Sequence, residues 1–175
     1  MTENILFADF TDRGAEAALG ALEGLSDAHT EGELTLREAR VIGRDSEGGI
    51  SVPGEVDHTN SSAGFAVGGL VGALVGLLGG PVGAMIGFGA GGLIGGGHDL
   101  RRVTETNAAL EELTSEIPPG STVLVAEVDE DTPGPADRAL GPGIRRYAAA
   151  QVRKDLEEAL SAPDAPPSRP GESGE

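Results

Sequence analysis

Two acid–histidine pairs bracket the most unusual stretch of this 175-residue chain, Asp57-His58 before it and His98-Asp99 after it. Imidazole nitrogens and carboxylate oxygens together suit a divalent transition metal, and histidine titrates near neutral pH. If the residues between them fold back on themselves, the two pairs meet at the base of a hairpin. There they could form a metal site or a pH-sensitive latch. The plainer alternative is that they are polar ends to an apolar hairpin. His29 falls in a predicted loop and is assigned no role. The acidic run EVDEDT at 127–132 could hold a hard cation through its oxygens, but it reads first as a charged loop at a strand end.

Other chemistry is sparse. The chain has no cysteine, which excludes a disulfide framework, a thiolate nucleophile and a thiolate metal site. Ser61, Ser62 and Ser121 stand in no catalytic motif. Gly87-Phe88-Gly89-Ala90-Gly91-Gly92 fits the spacing G-x-G-x-x-G, but a dinucleotide fingerprint requires a β-strand before it, and the glycine rhythm described below accounts for it instead. The sequence therefore predicts no catalytic residues, no cofactor and no enzyme activity. The net charge is −17, with 13 acids and 4 bases in residues 1–60 and 16 acids and 8 bases in 98–175. A nucleic-acid partner calls for a basic footprint, which this chain lacks.

The elements that must position these residues are legible in part. A short apolar run at 5–10 reads as a strand. Ala15, Ala18, Leu19, Leu22 and Leu25 then recur at helical spacing, with Thr11 or Asp12 as the cap and a loop over 27–33. Residues 39–44 and 50–56 read as a hairpin turning at 45–49, and Pro53 places the return strand at an edge. Leu100, Val103, Leu110, Leu113 and Ile117 mark an amphipathic helix over 98–117. STVLVAEV at 121–128 is the clearest strand, followed by a short helix within 132–143, a short strand at IRRYA, and a final helix carrying Val152, Leu156 and Leu160. The Pro-rich acidic tail, 162–175, reads as disordered.

Between the hairpin and the amphipathic helix lies the segment 63–97, which holds no charge, hydroxyl or amide side chain. Gly64, Gly68, Gly72 and Gly76 fall on every fourth residue, and after Pro81 the rhythm resumes at Gly83, Gly87, Gly91 and Gly95. Each glycine costs a helix about 1 kcal/mol against alanine, so neither leg forms a helix alone in water. The spacing puts the glycines in one stripe, where two backbones can approach closely. Two legs joined at Gly80-Pro81 are thus predicted to pair as a glycine zipper. Val67, Leu70, Val71, Leu74, Val75, Leu77 and Leu78 of the first leg, and Val82, Met85, Ile86, Phe88, Leu93 and Ile94 of the second, then point outward. An outward apolar surface needs a bilayer or other hairpins. Each leg would span about 25 Å, short against a hydrocarbon core of about 30 Å, so a shallow or re-entrant hairpin is as consistent as a full span.

The expected fold class is α+β: a ferredoxin-like βαββαβ sandwich with helices on one face, an inserted glycine-zipper helical hairpin and a C-terminal helix. The domains are 1–60 with 98–161 as one discontinuous unit, 61–97 as the inserted hairpin, and 162–175 as the tail. The first residues, MTENILFADFTDRGAE, lack the basic n-region of an export signal, and Arg101 and Arg102 follow the second leg, which places both flanks on the cytoplasmic side.

The order of parts resembles an uncharacterised family of bacterial and archaeal predicted membrane proteins, some linked to general stress. The resemblance spans residues 5–132 and rests on AEAALGALEGL, LTLREARVIGRDSEGGI, the glycine block, the helix through Leu113, and IPPGSTVLVAEV. It implies membrane association and brings no activity or catalytic residue. The expected function is therefore structural: a self-associating protein at the cytoplasmic face of the membrane, with itself and membrane lipid as partners. The alternatives are a soluble cytoplasmic homo-oligomer, shell or filament, whose hairpins bury one another, and a metal- or pH-sensing module built on His58 and His98.

Overall fold

The computed structural model describes residues 1–58, 71–72, 74–76 and 108–161. Five strands are present: β1 (Thr2–Asp9), β2 (Thr35–Arg44), β3 (Ile50–Asp57), β4 (Thr122–Glu130) and β5 (Arg145–Ala148). Four helices accompany them: α1 (Gly14–Thr30), α2 (Ala108–Ser115), α3 (Gly134–Leu140) and α4 (Ala149–Ser161). Residues 71–72 and 74–76 are also helical. The fold class is α+β, and the strands form one sheet in the order β3-β2-β4-β1-β5 with every neighbouring pair antiparallel. β1 and β2 therefore run in the same direction, joined by α1, with β4 between them.

Period-two alternation divides the strands between two cores. On one face Leu6, Ala8, Leu36, Ala39, Val41, Leu124, Ala126 and Val128 pack against Ala18, Leu22 and Leu25 of α1 and Ala136 and Leu140 of α3. Two glycines permit the close approach. A Cβ on Gly54 would lie 2.4 Å from the Leu19 Cδ2, and one on Gly24 would lie 3.3 Å from the Ala139 Cβ. On the opposite face Ile5, Phe7, Ile42, Val123 and Val125 pack against Val71, Leu74 and Val75, against Leu113 and Ile117, and against Ala149, Val152 and Leu156 of α4.

That second core corrects the expectation that helices lie on one face. Both faces of a five-strand sheet this apolar must be covered, and the chain supplies a helical layer for each. It also corrects the outward placement of Val71, Leu74 and Val75, which are buried within their own chain. Two local expectations change as well. α1 runs through Thr30, absorbing residues predicted as loop, because Ala28 still faces the core. Its N-cap is Arg13, with no side-chain cap, because Thr11 is engaged elsewhere: its hydroxyl accepts from the Thr122 N–H and its own N–H donates to Asp9 Oδ1. β3 is an edge strand, as Pro53 requires.

The predicted zipper stripe is described at Gly72 and Gly76 only, both buried. Gly64, Gly68, Gly83, Gly87, Gly91 and Gly95, the pairing of the two legs, Leu100, Val103 and the tail 162–175 lie outside the described residues.

The hairpin turn is held by Asp45, whose Oδ1 accepts from the Glu47 N–H at 2.9 Å and the Gly49 N–H at 2.7 Å. Asp45→Ala is expected to lower stability by about 1 kcal/mol in urea denaturation, the usual net worth of such bonds at an exposed turn.

Candidate functional site

The second core is apolar at one end of the sheet and charged at the other. Register produces the charged end. Glu38 of β2 lies directly opposite Glu127 of β4, and Asp57 of β3 lies opposite Glu38. Ile5 is opposite Glu127, so Glu3 of β1 is its diagonal neighbour. Four carboxyls thus cross four strands in one row. An irregularity between Leu36 and Glu38 sets the phase. Leu36 and Ala39 share the α1 face across it, which sends Glu38, Arg40 and Ile42 to the other face.

Like charges opposed across a sheet are unfavourable, and burial makes them more so. Glu38 is 0% exposed and Glu127 is 4% exposed. Arg40 Nη2 stands 3.1 Å from Glu38 Oε1, yet neither Glu38 oxygen accepts a well-aligned hydrogen bond. Burial pushes the Glu38 carboxyl up to about 8, with the Asp57 and Glu127 charges adding to the shift. Arg40 and the Val71 backbone amide oppose it.

Beside Glu38, Arg153 of α4 clamps two carboxyls at once. Its Nη2 donates to Glu3 Oε1 at 2.9 Å and to Glu127 Oε1 at 3.1 Å. Burial, then the hydrogen bond and charge of Glu3, push Glu127 up to about 7. The Arg153 hydrogen bond pulls Glu3 below the ordinary glutamate value. Of the two, Glu127 is the more readily protonated. Arg37 completes the group, its Nε donating to Asp129 Oδ2 at 2.9 Å and lying 3.6 Å from Glu3.

Burial and opposed like charges thus raise both Glu38 and Glu127 toward neutral pH. Glu38 has no solvent-facing surface, and Val71, Leu74 and Val75 belong to the apolar layer on its side of the sheet. Any change in its charge must be absorbed by the packing above it.

The residues singled out from sequence fare differently. Asp57 enters the carboxyl row. His58, exposed at the end of β3, donates its backbone N–H to the Arg37 carbonyl at 2.7 Å. Its ring stacks on His29, with centroids 4.7 Å apart. His29 thus acquires a neighbour that sequence spacing did not suggest, and its Nδ1 accepts from the Leu36 N–H at 3.2 Å. His98 and Asp99 lie outside the described residues. Among the described residues no group of three metal-ligating side chains occurs. The acidic run is strand for most of its length, not loop. Asp129 pairs with Arg37, and Glu130 accepts from Arg146 Nε at 2.8 Å and from Asn4 Nδ2 at 3.0 Å.

The signal for the carboxyl row was present in TLREARVIGR and TVLVAEVDE. Charges at Glu38, Arg40 and Glu127 interrupt strands that are otherwise buried on both faces, and a buried charge requires a partner or a proton. Cross-strand register, which sequence does not state, was needed to align them.

Comparison of the chain with protein-family models, with curated proteins and with solved structures finds no match.

Proposed function

We propose that this chain is a structural, self-associating protein whose glycine-rich segment, 61–97, mediates contact with a membrane and with further copies, at the cytoplasmic face. The observation that carries this reading is the closure of the remaining domain. Among the described residues Met1 is the single large hydrophobic side chain exposed. Five strands present a face about 24 Å wide, which two to three helices about 10 Å across fill. The helical residues at 71–72 and 74–76, α2 and α4 already occupy it. On this reading Val82, Met85, Ile86, Phe88, Leu93 and Ile94 find their apolar cover beyond the domain, in lipid or in a second copy. Among the described residues no helix is long and apolar enough to cross a membrane, so contact with lipid falls to the glycine-rich segment.

The fold is read here as ferredoxin-like in the succession β1-α1-β2-β4-α3-β5, a split βαβ arrangement with α1 and α3 on one face. Strand β3, the glycine-rich segment and α2 are then the insertion between β2 and β4. The likeness to glycine-hairpin membrane proteins belongs to the same reading, on the order of its parts.

Gly87→Leu tests it. Gly72 lies in the domain's own core, so a change there would perturb the fold, whereas Gly87 belongs to the second leg. Wild-type protein is expected in the alkali-washed membrane pellet, and Gly87→Leu is expected to shift about tenfold toward the soluble fraction, as loss of about 1.4 kcal/mol of packing implies. A large detergent-free particle on size exclusion would favour the soluble shell or filament. A monomer in the soluble fraction would refute both.

A further inference from the structure

We propose that the carboxyl row centred on Glu38 and Glu127 is a proton-binding site, and that loss of its protons loosens the packing of Val71, Leu74 and Val75 on the sheet.

Three independent features of the geometry support this. Glu38 and Glu127 are directly opposed across β2 and β4, so two ionised carboxylates would face each other in the interior. Glu38 is fully enclosed, with neither oxygen in a well-aligned hydrogen bond. The layer on its side of the sheet is helical and aliphatic at Val71, Leu74 and Val75, and a backbone amide of that same layer, at Val71, is felt by the carboxyl. A neutral carboxyl is tolerated beneath such a cover. A carboxylate is not, and the least costly remedy is to let water in by lifting the cover.

Charged groups approach Glu38 from each side. From β3 come Asp57 and, through its pairing with Arg40, Glu55. From β4 comes Glu127, itself bonded to Arg153 of α4 and influenced by Glu3 of β1. Its own strand supplies Arg40, whose Nη2 lies 3.1 Å from Glu38 Oε1 and favours the charged form. The helical residues Val71, Leu74 and Val75 carry no titratable group. Among the described residues, carboxyls thus outnumber guanidiniums around this enclosed carboxyl.

The sign follows from linkage. The carboxyl holds its proton more tightly when the cover is packed than when it is lifted, up to about 8 against an ordinary 4.5. Packing is therefore strongest below the ordinary value and is lost as pH rises toward the raised one. Its consequence for association rests on the function proposed above, since 71–76 belongs to the glycine-rich segment. The packing change itself does not.

Amide hydrogen exchange of the full-length protein, read at Val71, Leu74 and Val75 and corrected for intrinsic rate, tests the proposal. In the wild type, protection is expected to fall at least about tenfold between pH about 6 and about 9. Glu38→Gln, which keeps the shape and removes the ionisation, abolishes the fall. Glu127→Gln, which removes one facing charge, leaves a smaller one. A flat wild-type profile, or an unchanged fall in Glu38→Gln, overturns the proposal. Should Glu38→Gln fail to fold, the carbon-detected titration of the wild-type Glu38 carboxyl decides: ionisation at the ordinary glutamate value overturns it, and ionisation above neutrality upholds it. A flat profile with intact pelleting removes this inference alone. A pH-dependent profile in a soluble monomer removes the association reading alone.

Discussion

Leu74→Ala is expected to destabilise the folded protein by about 2–5 kcal/mol, the range for a leucine cut back in a packed core. Leu74 is 2% exposed and joins the cluster formed by Ile5, Phe7, Ile42, Val123 and Val125. Truncation removes apolar burial and leaves a cavity against the sheet, where strands pinned on both sides cannot close it. Urea denaturation followed by far-UV circular dichroism measures the loss. The experiment separates two placements of the first glycine-rich leg. A side chain facing lipid or a neighbouring copy would leave the stability of the isolated domain nearly untouched. A loss below about 0.5 kcal/mol, within the range of ordinary surface substitutions, would remove Leu74 from the domain core.

The second large effect is expected at Arg153, and it is pH-dependent. Arg153→Met keeps much of the aliphatic stem but removes the cation that clamps Glu3 and Glu127. Breaking a buried pair costs more than making one gains, because the remaining charge is left without compensation. Arg153 is 35% exposed, so solvent screens part of this, and a loss of about 1–3 kcal/mol is expected at pH about 9. The direction with pH is fixed by the carboxyls. Arg153 holds Glu3 below the ordinary glutamate value, so its support of Glu3 is already present at pH about 5 and persists above it. Above the ordinary glutamate value the unfolded carboxyls ionise freely, while Glu127 without its cation resists ionisation more than before. The deficit of the variant therefore grows as pH rises through about 7, where Glu127 titrates in the wild type. Denaturation curves at pH about 5 and about 9 test this linkage. An equal deficit at both would mean that Arg153 does not govern the ionisation of Glu127.

The carboxyl row and the packing of 71–76 together give the glycine-rich segment a regulatory setting. Its described residues Val71, Leu74 and Val75 pack in the apolar cluster on the side of the sheet that carries Glu38. A segment free of polar side chains thus has its own domain as one alternative to lipid or to another copy. On the proposals made above, which of these prevails depends on a proton.

Much of the architecture was legible from spacing. Leu22 and Leu25 of α1, the alternation of β4, the turn at Asp45 and the edge position marked by Pro53 follow from local pattern. Burial on one side of an element writes itself into the sequence as a period. Val152 and Leu156 marked α4 in the same way. The limits of the method are equally local. β5 and α3 are only four and seven residues long, too short for a period, and were anticipated from the turn residues that flank them; they complete the sheet edge and one helical layer.

By itself the sequence determined that the chain has an α+β pattern, a strongly acidic surface, no thiol chemistry and one segment too apolar to stand in water. These depend on side-chain type and on neighbours within a few residues, which composition and periodicity record. Only the tertiary structure decided that Val71, Leu74 and Val75 lie on their own sheet, that His29 meets His58, and that Glu38, Glu127 and Glu3 share one row. Each of those depends on strand register and on which layer covers which face. These contacts join residues far apart in the chain, and no local spacing encodes them.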